Sequence, residues 1–269
     1  MTMTLSLPKP LTLSDFVRMK QCGEKISCLT AYDASFSAVM DRVGIDIMLV
    51  GDSLGMTIQG HLSTLPVTVA DMVYHTRCVT HVKQRAFVIA DLPFMSYPTP
   101  VIAANNAAKL MQSGGAQMVK IEGAQVEIVR SLVNQGIPVC GHLGLLPQHI
   151  NQLGGYRVQG KEPKEAEQML NAAKQLEQSG AALLVLECVP AKLAKEISLQ
   201  LAIPVIGIGA GIDCDGQILV LHDVLNIGLA KRPRFSKDFL QQAGSIEAAI
   251  SAFHHAVKQS QFPTLDHSF

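Results

Sequence analysis

Four carboxylates stand directly after apolar, β-branched runs: Asp52 in LVGDSLG, Asp91 in VIADLPF, Glu122 in VKIEG and Glu187 in LVLECVP. One acid in such a place is ordinarily a helix N-cap or a solvated loop residue. Four in separate segments, each next to buried sequence, imply more, because like charges brought together repel unless a cation or shared protons neutralise them. Hard oxygen donors without accompanying Cys or paired His favour Mg²⁺ over zinc. Lys120 and Glu122 form a K-x-E pair, and alternate residues of a strand share a face, so both point the same way. A lysine there binds a substrate carboxylate, or forms a Schiff base if its pKa is depressed. Neighbouring carboxylates raise that pKa and favour the first role. His142, in VCGHLG, ends a fifth apolar run and reads as a hydrogen-bonding partner behind the acids rather than as a ligand.

Three other stretches carry weaker signals. Gly51-Asp52-Ser53-Leu54 matches the nucleophile block of the GDSL esterases, but the D-x-x-H that such enzymes need is absent from the chain. Gly207-Ile208-Gly209-Ala210-Gly211 could cradle a phosphate, although it lacks G-x-G-x-x-G spacing; its glycines serve equally to admit a close neighbour. The segment from Gly51 to Thr68 reads as a long structureless loop carrying Gln59, His61 and Ser63, a length that suggests a cover over a reactive site.

The elements that must position these groups alternate along the chain. Continuously apolar strand signals fall at Ile26–Thr30, Ile47–Val50, Phe87–Ala90, Met118–Ile121, Val139–Gly141, Leu183–Leu186, Val205–Ile208 and Gln217–Leu221, as expected of strands covered on both faces. Helical patterns lie between them at Ala34–Val43, Val69–Val79, Pro100–Gln112, Ala124–Asn134, Lys164–Ser179 and Ala191–Leu199. A further helix is expected from Ser14, and a last one capped by Ser245 and running to about Gln259. Eight strands in βαβα order predict an α/β fold: a (β/α)8 TIM barrel with an extra N-terminal helix and C-terminal helices, in which strand C-termini converge on one rim. An open doubly wound sheet is the alternative. No linker or change of composition interrupts residues 1–269, which read as one catalytic domain.

Composition narrows the partners. Lys+Arg 22 against Asp+Glu 22 gives no net charge, so nothing favours nucleic acid or an anionic membrane. No apolar run approaches a membrane span, and the first sixteen residues lack the pattern of a secretory signal. The six cysteines show no C-x-x-C pairing and read as reduced thiols of a cytoplasmic protein. With 48% hydrophobic and 16% charged residues, the chain is apolar enough to predict buried surface between subunits of a homo-oligomer.

With these residues in view, the chain closely resembles the ketopantoate hydroxymethyltransferase family. The resemblance runs from about Thr30 to the C-terminus through TAYD, MLVGDSLGMTIQGHLSTLPVTVADMVYHT, ADLPFMSY, MVKIEG, PVCGHLGLLPQ, LVLECVP and IPVIGIGAG. It implies that Asp52, Asp91 and Glu122 surround Mg²⁺, that Asp52, Ser53, Asp91 and Lys120 hold a 2-oxo acid, and that Glu187 accepts its proton. It also implies 5,10-methylenetetrahydrofolate as co-substrate, 2-dehydropantoate as product, and a decamer of two pentameric rings. The chemistry suits the residues: a 2-oxo acid chelates a hard cation, which stabilises the enolate formed when a buried carboxylate removes the C3 proton. The rival enzyme reading is another Mg²⁺-dependent barrel acting on oxo-acid enolates, a lyase or mutase of the isocitrate lyase and phosphoenolpyruvate mutase type. The non-enzymatic rival is a binding barrel, which would not need Glu187 beside an acidic cluster.

Overall fold

The computed structural model describes residues 9–229 and 231–269; residues 1–8, half of the N-terminal stretch read above for a signal, lie outside the described residues. Eight parallel strands close into a barrel in chain order: β1 (Ile26–Thr30), β2 (Ile47–Val50), β3 (Phe87–Asp91), β4 (Met118–Glu122), β5 (Val139–Gly144), β6 (Leu183–Glu187), β7 (Val205–Ile208) and β8 (Gly216–Leu219). β8 returns to β1 through the pair Ile26↔Gly216, so the open-sheet alternative is excluded. All eight expected strands are present. Helices cover the outside, and the strands are buried almost without exception, which is why they lack polar alternation.

The element ends differ in places. The first helix is Leu13–Gln21, capped by Thr12 rather than begun at Ser14: the Asp15 carboxylate accepts from both the Thr12 N–H, at 3.0 Å, and its hydroxyl, at 2.7 Å. β5 continues three residues past the expected Gly141. β8 stops at Leu219, because Leu221 opens a short helix whose first N–H donates to the Thr30 hydroxyl at 3.0 Å. The last helix, Ile246–Lys258, is capped by Ser245 as expected. The segment after β2 is not structureless, since Leu54–Thr57 forms one helical turn.

Register decides what the rim looks like. Asp91 pairs with Lys120, Glu122 with His142, and Gly144 with Glu187. Below them Cys28, Leu49, Ile89, Cys140, Val185 and Ile206 meet under Lys120 around a void of only about 10 Å³. Asp91, His142 and Glu187 each follow one of these inward residues by two positions, so the pleat turns them inward one layer higher. The barrel interior is a solid apolar floor with a polar layer above it.

Candidate active site

Lys120 is the cation of this layer. It is buried, and its Nζ donates to Asp91 Oδ1 at 2.8 Å. Burial alone would lower its pKa, but the charges of Asp91, Glu122 and Asp52 outweigh that and raise it, so the lysine stays an ammonium and is unsuited to Schiff-base chemistry. Asp91 Oδ2 accepts the Asp52 N–H at 3.1 Å, tying the end of β2 to the end of β3.

Gln148 joins the remaining acids. Its Nε2 donates to Asp52 Oδ2 at 2.8 Å and to the Leu92 carbonyl at 3.0 Å, while its backbone N–H donates to Glu122 Oε2 at 3.0 Å. The Tyr97 hydroxyl fixes the amide from the other side, donating to Gln148 Oε1 at 2.6 Å. Asp52, Asp91, Lys120 and Glu122, taken from three strands, thus lie in one hydrogen-bonded network. Ser53 is at its edge, its hydroxyl 2.8 Å from that of Tyr32. Sequence reasoning missed Gln148 and Tyr97: both lie in family-like stretches, PVCGHLGLLPQ and ADLPFMSY, but an uncharged side chain in a loop carries no signal of its own.

Glu187 stands apart from this network, across His142. The imidazole has Nδ1 3.7 Å from Glu122 Oε1 and Nε2 3.3 Å from Glu187 Oε2, and neither nitrogen makes a well-aligned hydrogen bond. Burial, reinforced by the Lys120 charge, holds the ring well below its usual pKa and therefore neutral. Burial pushes the Glu187 carboxyl up to about 7, with Lys120 pulling it down and Asp91 pushing it further up. Asp52 is likewise pushed up to about 7 by burial and by Asp91, and burial raises Glu122 well above the carboxylate range.

Among the described residues, no three His, Cys, Asp or Glu side chains already stand around one point as a metal centre. The chemistry of the donors nonetheless fits a hard divalent cation. Three buried carboxyl groups stand around a single ammonium, and burial together with their mutual repulsion raises Asp52 and Glu122, so hard oxygen donors outnumber the one fixed cation.

The remaining candidates lie elsewhere. Gln59 and His61 are exposed, so the segment after β2 contributes through Ser53 and its short helix. In Gly207–Gly211 the glycines face protein: a Cβ on Gly207 would meet Cys214 Sγ at 2.9 Å, one on Gly209 Phe235 at 3.0 Å, and one on Gly211 Ala191 at 2.5 Å. Close packing accounts for all three without a phosphate. All six cysteines are unpaired.

Enzymes built on parallel barrels carry out their chemistry at this end of the strands, and the chain is an enzyme of that class. The particular family follows from sequence: residues 10–265 match ketopantoate hydroxymethyltransferase, and the chain belongs to that family. It is 56% identical to the 3-methyl-2-oxobutanoate hydroxymethyltransferase of Alkalilimnicola ehrlichii, over 97% of this chain and 95% of that one. It is also 56% identical to the enzyme of the same name from Thiobacillus denitrificans, over 97% and 100%. Solved structures with the same fold include 2,3-dimethylmalate lyase, described as a PEP mutase/isocitrate lyase superfamily member, with a TM-score of 0.56, 16% identity and coverage of 77% of this chain and 80% of that one. Phosphoenolpyruvate phosphomutase from Streptomyces platensis subsp. rosaceus aligns with a TM-score of 0.59 and 10% identity, over 80% and 83%. At such identities the likeness is one of fold alone.

Proposed function

We propose that this enzyme transfers a hydroxymethyl group from 5,10-methylenetetrahydrofolate to C3 of 3-methyl-2-oxobutanoate, giving 2-dehydropantoate on the route to pantothenate and coenzyme A. The C3–H bond breaks and its proton passes to Glu187. C3 then bonds to the donor's methylene carbon, and water supplies the hydroxyl as tetrahydrofolate leaves.

The observation that carries this reading is Glu187 itself. It is a carboxyl pushed up to about 7, on its own strand, 3.3 Å from a neutral imidazole and outside the acid network. A general base works best with a pKa near the working pH. Asp52, Asp91 and Glu122 would hold Mg²⁺, which when bound supplies the Lewis acidity that makes the C3 proton of a chelating 2-oxo acid easier to remove. Asp52, Ser53, Asp91 and Lys120 bind the oxo acid, with the Lys120 ammonium offsetting its carboxylate. His142 lies 3.3 Å from Glu187 and, held neutral by burial, does not compete for the proton.

The test is C3 deuterium exchange of 3-methyl-2-oxobutanoate in D₂O. Exchange that requires protein and Mg²⁺, and transfer that requires the folate donor, is the expected result; metal binding without exchange would sink the reading. Self-association into a homo-oligomer, a decamer in particular, and a cytoplasmic place of work belong to the same proposal. Exposed apolar residues on outer helices, such as Val101 (71% exposed) and Leu199 (77%), support the first, and six unpaired cysteines fit the second.

A further inference from the structure

The barrel floor is closed, so a second and larger reactant can reach the carbon beside Glu187 only from the rim. One segment of that rim crosses the mouth. Tyr156 donates its hydroxyl to Met56 Sδ at 3.6 Å, and Met56 lies on the single helical turn that follows Asp52 and Ser53. Three residues further on, the Gln159 N–H donates to the Cys188 carbonyl at 3.0 Å, next to Glu187. Residues 156–159 therefore run from the acid network to the base. Gly154 (φ +65°), Gly155 (φ +129°) and Gly160 (φ +79°) bracket them, turns that side chains resist. Within this bridge the Tyr156 side chain remains 56% exposed, an aromatic surface left uncovered beside the site.

We propose that Tyr156, its hydroxyl held by Met56, is the platform on which the flat heterocyclic ring of the one-carbon donor lies, a subsite that rests on the function proposed above. A phenol ring and a thioether are both polarisable and favour a planar π-system. Charge sets the orientation. Asp52, Asp91, Glu122 and Glu187 line the inner side of the mouth, so an uncharged ring belongs inward and any anionic tail outward. That arrangement brings a methylene group on the ring's edge toward the substrate carbon.

The test uses Tyr156→Ala and Tyr156→Phe in the whole enzyme, with tetrahydrofolate as probe. Calorimetric binding in the presence of 3-methyl-2-oxobutanoate and Mg²⁺ should weaken about tenfold or more in Tyr156→Ala and stay within about twofold in Tyr156→Phe, since the ring supplies the contact. C3 exchange without donor should persist in Tyr156→Ala, which separates loss of the platform from collapse of the acid site. Wild-type binding in Tyr156→Ala would overturn the proposal, as would loss of binding together with exchange. A Tyr156→Ala protein of altered mass by light scattering but unaltered binding would overturn it too, making the rim a contact with a second copy. Ring-dependent binding in an enzyme that exchanges no C3 hydrogen would uphold the platform and bring down the proposed reaction alone.

Discussion

His142 Nε2 faces Glu187 Oε2 at 3.3 Å in a layer where burial disfavours charge on either group. The imidazole is too strongly held neutral to take a proton from the substrate. C3 exchange should therefore follow the Glu187 carboxyl. The rate should rise with pH and level off, the carboxyl being inactive while protonated, with an inflection below the value of about 7 that burial sets in the metal-free site. A bound divalent cation favours the carboxylate form and moves the inflection downward. A metal-loaded rate that shows no inflection anywhere between pH 4 and pH 8 would remove Glu187 as the titrating base.

Glu187→Gln keeps the shape and removes the basicity. We expect near-normal Mg²⁺ and oxo-acid binding with exchange reduced by ~10²–10⁴-fold, the usual range of a general base. Asp91→Asn should behave differently, because Asp91 is the direct partner of Lys120. It should weaken metal and substrate binding together. Equilibrium binding beside exchange rates for both variants separates the two roles, and unchanged exchange in Glu187→Gln would eliminate it from the mechanism.

Much of this was legible in sequence because buried parallel strands are unbroken apolar runs, and the residue that ends each run must lie at the rim. Asp52, Asp91, Glu122 and Glu187 were readable on that ground alone. What joins them was not. Gln148 is neutral and follows a loop proline, yet its backbone and side chain together hold Glu122 and Asp52. The end of β5 was read three residues short, since Leu143 and Gly144 look like the start of a loop. Their strand conformation depends on pairing with Leu186 and Glu187, a long-range contact that no local pattern announces.

Raised carboxyls also make stability depend on pH. Asp52 and Glu187 are pushed up to about 7 in the folded protein, above their ordinary values of 3.8 and 4.5. The folded state therefore holds protons that the unfolded chain has shed. This contribution is present below about pH 4 and is lost as pH rises through about 7. Histidines held below their ordinary 6.5, His142 and His254 among them, act the opposite way at lower pH, so thermal unfolding of the metal-free protein should show Tm falling from pH 6.5 to pH 8. At one fixed concentration Mg²⁺ should stabilise more at pH 8 than at pH 5.5, by ~2.7 kcal/mol at pH 8 if that concentration is 100 times the Kd there. Equal Mg²⁺ stabilisation at both pH values would contradict a site built on these acids.

Exposed apolar surface, rather than the site, is what predicts assembly. Val101 and Leu199 are largely exposed on the outer helices Pro100–Gln112 and Ala191–Gln200. Light scattering should give a mass several times the 28.9 kDa of one chain, with ten copies as the specific expectation. A monomer at working concentration would refute the assembly and leave the chemistry untouched.

Glu187 is aimed by the backbone on either side of it. Gly144 pairs with it across β5 and β6 at φ +96°, and a Cβ there would lie 2.2 Å from the Glu187 carbonyl oxygen and 2.7 Å from Val189 Cγ2. On the other side Cys188 adopts φ +49°, a conformation that costs a side-chain-bearing residue ~1–2 kcal/mol, while its N–H donates to the Ile208 carbonyl at 2.9 Å. Gly144 is thus a positioning residue whose missing side chain lets the backbone of Glu187 reach its place. Gly144→Ala should force the Glu187 main chain to move by an ångström or more, so kcat for exchange should drop at least tenfold while Mg²⁺ binding at Asp52, Asp91 and Glu122 changes little. Displacing the carboxyl should also shift the pH inflection of exchange away from its wild-type position, which a general loss of stability would not do. Normal exchange with an unmoved inflection in a folded Gly144→Ala protein would show that Glu187 does not depend on this contact.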